Sequence, residues 1–126
     1  MNSDARAEVL KAHAVYEAAF NANDIAAINA CLVSPFTFID DGNAQSMNGF
    51  HFNPKEFKAS KGWVSNEGTV IDLVAVGETK AHLVMRNTRR LRADGSLVEE
   101  ASAFYAYTRT ADGWKMFALS GIPLPT

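Results

Sequence analysis

Two long runs of strand-forming residues, AHLVMRNTRRLRA and SLVEEASAFYAYTRT, are separated only by Asp94-Gly95. This pair constrains the fold more than any other feature. Asp-Gly supplies the backbone freedom of a tight two-residue hairpin, and its position sets the register on both sides. If Ala93 faces Ser96, then Arg90 faces Glu99 and Arg89 faces Glu100. Opposite charges then meet on both faces of the ribbon, which supports the pairing. Carried outward, the same register places Leu83, Met85, Phe104 and Ala106 on one apolar face, expected to look inward. His82, Val84, Arg86, Thr88, Tyr105 and Tyr107 share the other. That mixture of aromatic, apolar and basic groups suits a homodimer interface, with Val84, Arg86, Tyr105 and Tyr107 at its centre.

More strands accompany the hairpin. TVIDLVAVG is rich in β-branched residues, and WKMFALS follows a second turn signal, Asp112-Gly113. The tail GIPLPT reads as irregular, because two prolines oppose a regular strand or helix. The first third of the chain reads as helix. Ser3 or Asp4 can cap a helix running to about Asn21. Val9, His13, Tyr16 and Phe20 recur at 3–4 spacing and define its buried face. NAND breaks it, and Asp24 caps a short second helix with Ile25, Ile28 and Leu32 inward. Pro35 blocks continuation, and a strand begins at Phe36. After the loop DGNAQSMNG, FHF reads as a short strand. NPKEF opens a third helix, with Asn53 as N-cap, Pro54 in the first turn and Glu56 where a capping-box acid falls. It should stop near Gly62.

Helices followed by an antiparallel meander indicate an α+β domain over residues 1–126. The helices pack into a curved antiparallel sheet, a cone whose open end is a pocket. With 48% hydrophobic and 21% charged residues the composition is that of a globular core-forming chain. Twelve basic against fourteen acidic residues, a net charge of -2, exclude a binder that holds nucleic acid electrostatically. The single cysteine, Cys31, allows no intrachain disulfide and reads as a small packed hydrophobe. A reducing, cytoplasmic setting is the expectation. The N-terminus lacks the layout of a secretory signal, and no apolar run approaches the roughly 18 to 20 residues of a membrane span. Three scattered histidines show no metal-ligand spacing. Neither a phosphate loop nor a nucleophile elbow is present, so no metal or cofactor is expected.

Chemistry enters at FTFIDDG, residues 36–42. Alternation puts Phe36, Phe38 and Asp40 on one face, with Thr37, Ile39 and Asp41 on the other. If the Phe face lines the cone, Asp40 does too. A carboxylate against aromatic walls is poorly solvated, so its pKa tends upward and it gains strength as a base. The competing reading makes both aspartates caps of the turn at Gly42. Tyr16 either shares a pocket with Asp40 or packs in the core with its hydroxyl on a backbone carbonyl. His51, between two phenylalanines, falls at the expected pocket mouth. Trp63 falls near its entrance. Together with Phe36, Phe38, Met85 and Phe104 they form the expected wall around a small hydrophobic molecule. Trp114 is expected to seal the end of the sheet, and His13 to sit at the surface or helix edge.

VYEAAFNANDIAAINACLVSPFTFIDDG and the terminal DGWKM resemble nuclear transport factor 2-like, or SnoaL-like, domains, and the likeness in element order covers almost the whole chain. That resemblance implies the cone. It also implies a scaffold that carries isomerases, dehydratases, cyclases and non-catalytic binding modules. Within it, bacterial steroid Δ5-3-ketoisomerases have a tyrosine and an aspartate where Tyr16 and Asp40 stand. The comparison implies Asp40 as the base that moves a proton between carbons and Tyr16 as a donor to the enolate. Their second acid would fall at Phe104, Ala103 or Tyr105, and none of these is acidic. Losing such a donor costs about 100- to 1000-fold in rate. The resemblance thus leaves weak isomerase activity, a different reaction such as water elimination with a proton from His51 or Tyr105, or a binding module.

Overall fold

The computed structural model describes residues 2–125, with the side chains of residues 2 and 3 outside the description. Helix α1 (Asn2–Asn21) already includes Asp4 in its first turn; the capping expected of Ser3 lies outside the described residues. Val9, His13 and Tyr16 are buried and Phe20 is partly so, as the spacing requires. His13 therefore sits inside, not at a helix edge, because the sheet wraps over that face. Helix α2 (Ile25–Ala30) is capped by Asp24, whose carboxylate accepts the Ala27 N–H at 3.0 Å. Of its expected inward residues Ile28 is buried, whereas Ile25 is exposed. The helix ends before Leu32, which belongs to strand β1 (Leu32–Asp40) and pairs with Met116.

The segment after Asp41-Gly42 is strand β2 (Asn43–Met47), not a loop. Gly42 has φ 68°, which permits the two-residue turn, and Asp40 pairs with Asn43. Asn43, Ala44, Gln45 and Ser46 are all exposed, so this edge strand has no apolar alternation by which to recognise it. Phe50, His51 and Phe52 form no strand; they bend toward the helices. Helix α3 (Pro54–Lys61) begins and ends as expected. The Asn53 side chain accepts the N–H groups of Lys55 and Glu56, and Gly62 closes the helix with φ 68°. Lys58 ties α3 to the end of α1 by donating to the Phe20 carbonyl at 2.7 Å and to Asn23 Oδ1 at 2.9 Å.

Strands β3 (Ser65–Glu67), β4 (Val70–Val76), β5 (Lys80–Leu91), β6 (Leu97–Thr110) and β7 (Gly113–Leu124) complete the chain. The sheet runs β2-β1-β7-β6-β5-β3, with β4 also on β5. It is curved and unclosed. It is mixed rather than wholly antiparallel, because β1 and β7 run parallel. The concave side buries Leu83, Tyr107, Met116 and Leu119 against α1. Trp114 is buried and donates to Glu8 at 3.2 Å. Strand β7 continues through Pro123, which pairs with Ala101. The last β1 partner on β7 is Leu119, so a proline beyond that point breaks no ladder on the β1 side. Among the described residues no helix is long and apolar enough to cross a membrane.

The central hairpin confirms one expectation and corrects another. Arg89 pairs with Glu100 and Arg90 with Glu99. The turn, however, spans three residues, because the Arg92 N–H bonds to the Ser96 carbonyl, and a shift between Arg90 and Leu91 restores the pairing. A second shift lies between Met85 and Thr88, where Asn87 adopts φ 61°. This bulge inserts one residue and exchanges the faces beyond it. Tyr105 and Tyr107 therefore turn inward and are buried, and Phe104 turns outward against His82 at 5.2 Å between ring centroids. The dimer face containing both tyrosines does not exist.

Candidate functional site

A cavity of about 410 Å³ opens between α1, α3, the 50–52 segment and the concave sheet. Tyr16, Phe38, Asp40, His51, Trp63 and Met85 all line it. Phe36 is completely buried beneath the wall, 6.3 Å from both Phe50 and His51 by ring centroids. Phe104 is outside, for the reason given by the bulge.

Each polar group is positioned by its element. Helical spacing brings Tyr16 to the cavity on the buried face of α1, with Tyr105 5.7 Å away. Burial, reinforced by Tyr105 and Tyr107, pushes the Tyr16 phenol well above its usual range. It is thus a proton-bearing donor at neutral pH. Strand alternation carries Asp40 to the rim, two residues past Phe38. It is exposed there, and its Oδ1 accepts the Asp41 N–H at 2.9 Å. The aromatic wall therefore shields it less than its neighbours in sequence suggest.

His51 lies flat on Phe38 and edge-on to Phe52. Burial lowers its pKa to about 4, with the Asp40 charge opposing. At neutral pH the imidazole is uncharged, and its Nδ1 has no hydrogen-bond partner among the described residues. A neutral ring offers one donor and one acceptor nitrogen, so His51 can pass a proton on as it accepts another.

Several lining residues escaped the sequence reading. Glu17 follows Tyr16 on α1, and burial raises its pKa. Its Oε1 is 3.6 Å from Nε2 of His13, whose Nδ1 lies 2.8 Å from the Tyr107 hydroxyl. His13 is also held neutral, with a pKa near 4 caused by burial. Spacing offers one clue, since Glu17 is four residues beyond His13 on a helix. Lys61, Arg90 and Glu99 also line the cavity. The pairing of Arg90 with Glu99 across the hairpin was legible, but its place on a cavity wall was not, and nothing in the sequence brought Lys61 to it. Among the described residues no group of His, Cys, Asp or Glu is arranged to hold a metal ion.

The same architecture recurs in solved proteins. A candidate dehydratase of the NTF2-like family from Streptomyces avermitilis superposes with a TM-score of 0.72 at 15% identity, covering 100% of both chains. An NTF2-like protein with a cystatin-like fold from Novosphingobium aromaticivorans gives 0.70 at 15% identity, over 96% of this chain and 82% of that one. The fold is that of the nuclear transport factor 2-like proteins. A ketosteroid isomerase-like protein from Erwinia carotovora atroseptica, at TM-score 0.67 and 18% identity, covers 95% of this chain and 96% of its own. Identities this low establish the NTF2-like fold alone. No family model matches the sequence, and no curated protein matches it. What the cavity does must be argued from its own residues.

Proposed function

We propose that this NTF2-like chain is an acid–base enzyme acting on a small, largely apolar carbonyl compound, by proton shift or elimination of water beside the carbonyl. One observation carries this reading: Tyr16, Asp40 and His51 line the same cavity, whose other walls are mainly apolar, part aromatic and part aliphatic. Asp40 takes the proton from carbon. Tyr16 donates to the oxygen on which charge develops, which lowers the barrier only if the donor is in place before charge appears. The neutral His51 beside Asp40 is suited to relay a proton, accepting on one nitrogen the proton that Asp40 took from carbon as its other N–H passes to a leaving hydroxyl; that task is open because residues 103–105 of β6 include no acid. Aromatic walls displace water around Tyr16 and His51 and strengthen their interactions.

Tyr105 supports the reading less directly. It faces the cavity, and burial raises its pKa, but its hydroxyl contacts Met85 Sδ at 3.9 Å. The names of the dehydratase and isomerase-like neighbours agree with this class of chemistry. The test is turnover of a panel of small ketones and hydroxyketones by the parent protein and Asp40→Asn. Loss of turnover with ligand affinity retained is the expected result; turnover unchanged in the variant removes Asp40 from the mechanism.

A second reading has its own observation. The exposed Asp40 carboxylate accepts its neighbour's N–H at the β1–β2 turn, as a turn-capping residue does. On that reading the chain is a ligand-binding or protein-interaction module, and the cavity binds without turnover. In either case the protein is proposed to act as a homodimer through the outer sheet face, where Phe104 packs on His82 and Val84 pairs with Phe104 across the ladder.

A further inference from the structure

The acid–base groups leave one cluster in the cavity unused. Glu99 receives Lys61 Nζ at 3.0 Å on each carboxylate oxygen and Arg90 Nη1 at 2.6 Å. All three residues line the cavity, and Arg90 and Glu99 are only 18% and 16% exposed. Two cations share one carboxylate, so the cluster holds a surplus positive charge. Burial pushes Glu99 up, but the hydrogen bonds from Lys61 and Arg90 outweigh it and hold the carboxyl below its ordinary range. Glu99 thus remains an anion and has no capacity left for a cationic ligand.

Arg90 is held in place independently of Glu99. Its guanidinium carbon lies 4.1 Å from the Trp63 ring centroid. Trp63 is fixed in turn by donating to the Ser65 carbonyl at 3.1 Å and Asn66 Oδ1 at 2.6 Å. Arg90 Nε is buried with no hydrogen-bond partner among the described residues. The other charged groups on the cavity are Asp40 and Glu17. Asp40 is at the rim beside His51, and Glu17 is on α1 next to Tyr16. An aromatic run separates Asp40 and His51 from the cationic cluster: His51 to Phe52 at 4.2 Å, Phe52 to Phe57 at 4.5 Å, and Phe57 to the Arg90 guanidinium at 5.9 Å.

We propose that the ligand carries a carboxylate that docks against Lys61 and Arg90, with its apolar middle on the aromatic run and its carbonyl toward Tyr16 and Asp40. The position of the carbonyl rests on the acid–base reading above; that of the carboxylate does not. A neutral occupant would strip water from the surplus cation and return nothing for it. A carboxylate supplies charge-assisted hydrogen bonds to a guanidinium already oriented by Trp63. A single surplus charge matches a monoanion, whereas a doubly charged phosphate would meet stronger repulsion from Glu99.

The probes are 4-acetylbenzoate and its methyl ester, which share the aromatic ketone and differ in charge. Titration calorimetry on the intact chain at low salt should show the acid binding at least about tenfold tighter than the ester, a difference of about 1.4 kcal/mol. Arg90→Gln should abolish the preference. Lys61→Gln, on the more exposed partner, should reduce it several-fold and serves if the first variant fails to fold. An ester that binds as well as the acid overturns the proposal, as does a preference unchanged in a folded variant or failure of both probes to bind at millimolar concentration. A clear acid preference without turnover of any carbonyl compound instead sinks the acid–base reading and leaves the carboxylate site standing.

Discussion

His51 stacks on Phe38 with ring centroids 3.7 Å apart and planes 13° from parallel. The contact joins a strand residue to a residue from an irregular segment, and it fixes the imidazole at the cavity edge beside Asp40. Phe38→Ala removes the surface on which the ring lies. Turnover should fall several-fold through kcat, with a smaller change in KM, because a mispositioned proton relay impairs chemistry more than binding. A change confined to KM would make Phe38 a wall and nothing more.

Asp40→Asn keeps shape and removes basicity. Its turnover should fall about 100-fold or more, with ligand affinity changed by less than about threefold. Tyr16→Phe should cost less, about 10- to 100-fold, because water can partly replace one hydroxyl. Steady-state kinetics with parallel binding measurements separate the two. A larger loss for Tyr16→Phe than for Asp40→Asn would reverse the assigned roles.

His13 and His51 both have folded-state pKa values near 4, below the ordinary 6.5. Between those values the unfolded chain binds protons that the folded chain refuses, so stability falls as pH drops from about 6.5 toward 4. Above about 6.5 neither ring contributes a slope. For buried His13 the full shift corresponds to about 3 kcal/mol. Denaturant melts at pH 7 and pH 4.5 should show the loss, and His13→Gln should remove a large part of it. A pH-independent midpoint in the parent protein would contradict the burial of both rings.

Asn87, at φ 61°, holds the bulge that aims Tyr105 and Tyr107 inward. Asn87→Val forces a β-branched residue into the left-handed region and should destabilise the fold by about 1–3 kcal/mol. Asn87→Gly should be close to neutral. Equal, small effects of both in urea unfolding would mean that the bulge relocates freely.

Light scattering at micromolar concentration should give about twice the 13.7 kDa chain mass. Phe104→Lys, on the outer face, should yield a monomer with its helix and strand content intact. A monomeric parent protein rejects the assembly; a dimeric Phe104→Lys rejects only this face.

The α1 stripe, the Asn53 cap with Gly62, the charge-paired hairpin and the alternation that sends Phe38 and Asp40 the same way were all legible in the sequence. Each depends on neighbours a few residues apart, or on two strands joined by one turn, where backbone geometry follows directly from residue type. From these local signals the sequence by itself determined the α+β order and the helix face that meets the sheet.

Tertiary structure decided the rest. β2 has no apolar face and exists because β1 offers it an edge. Pro123 is tolerated in β7 because β1 no longer accompanies it there. The Asn87 bulge turned Phe104 out and Tyr105 in, since a one-residue slip reverses every side chain beyond it. Lys61, Arg90 and Glu99 reach the cavity from α3, β5 and β6. Whether a charge pair faces solvent or a cavity depends on how a sheet curves around a helix, and that is set by packing over the whole chain, not by the spacing of the pair.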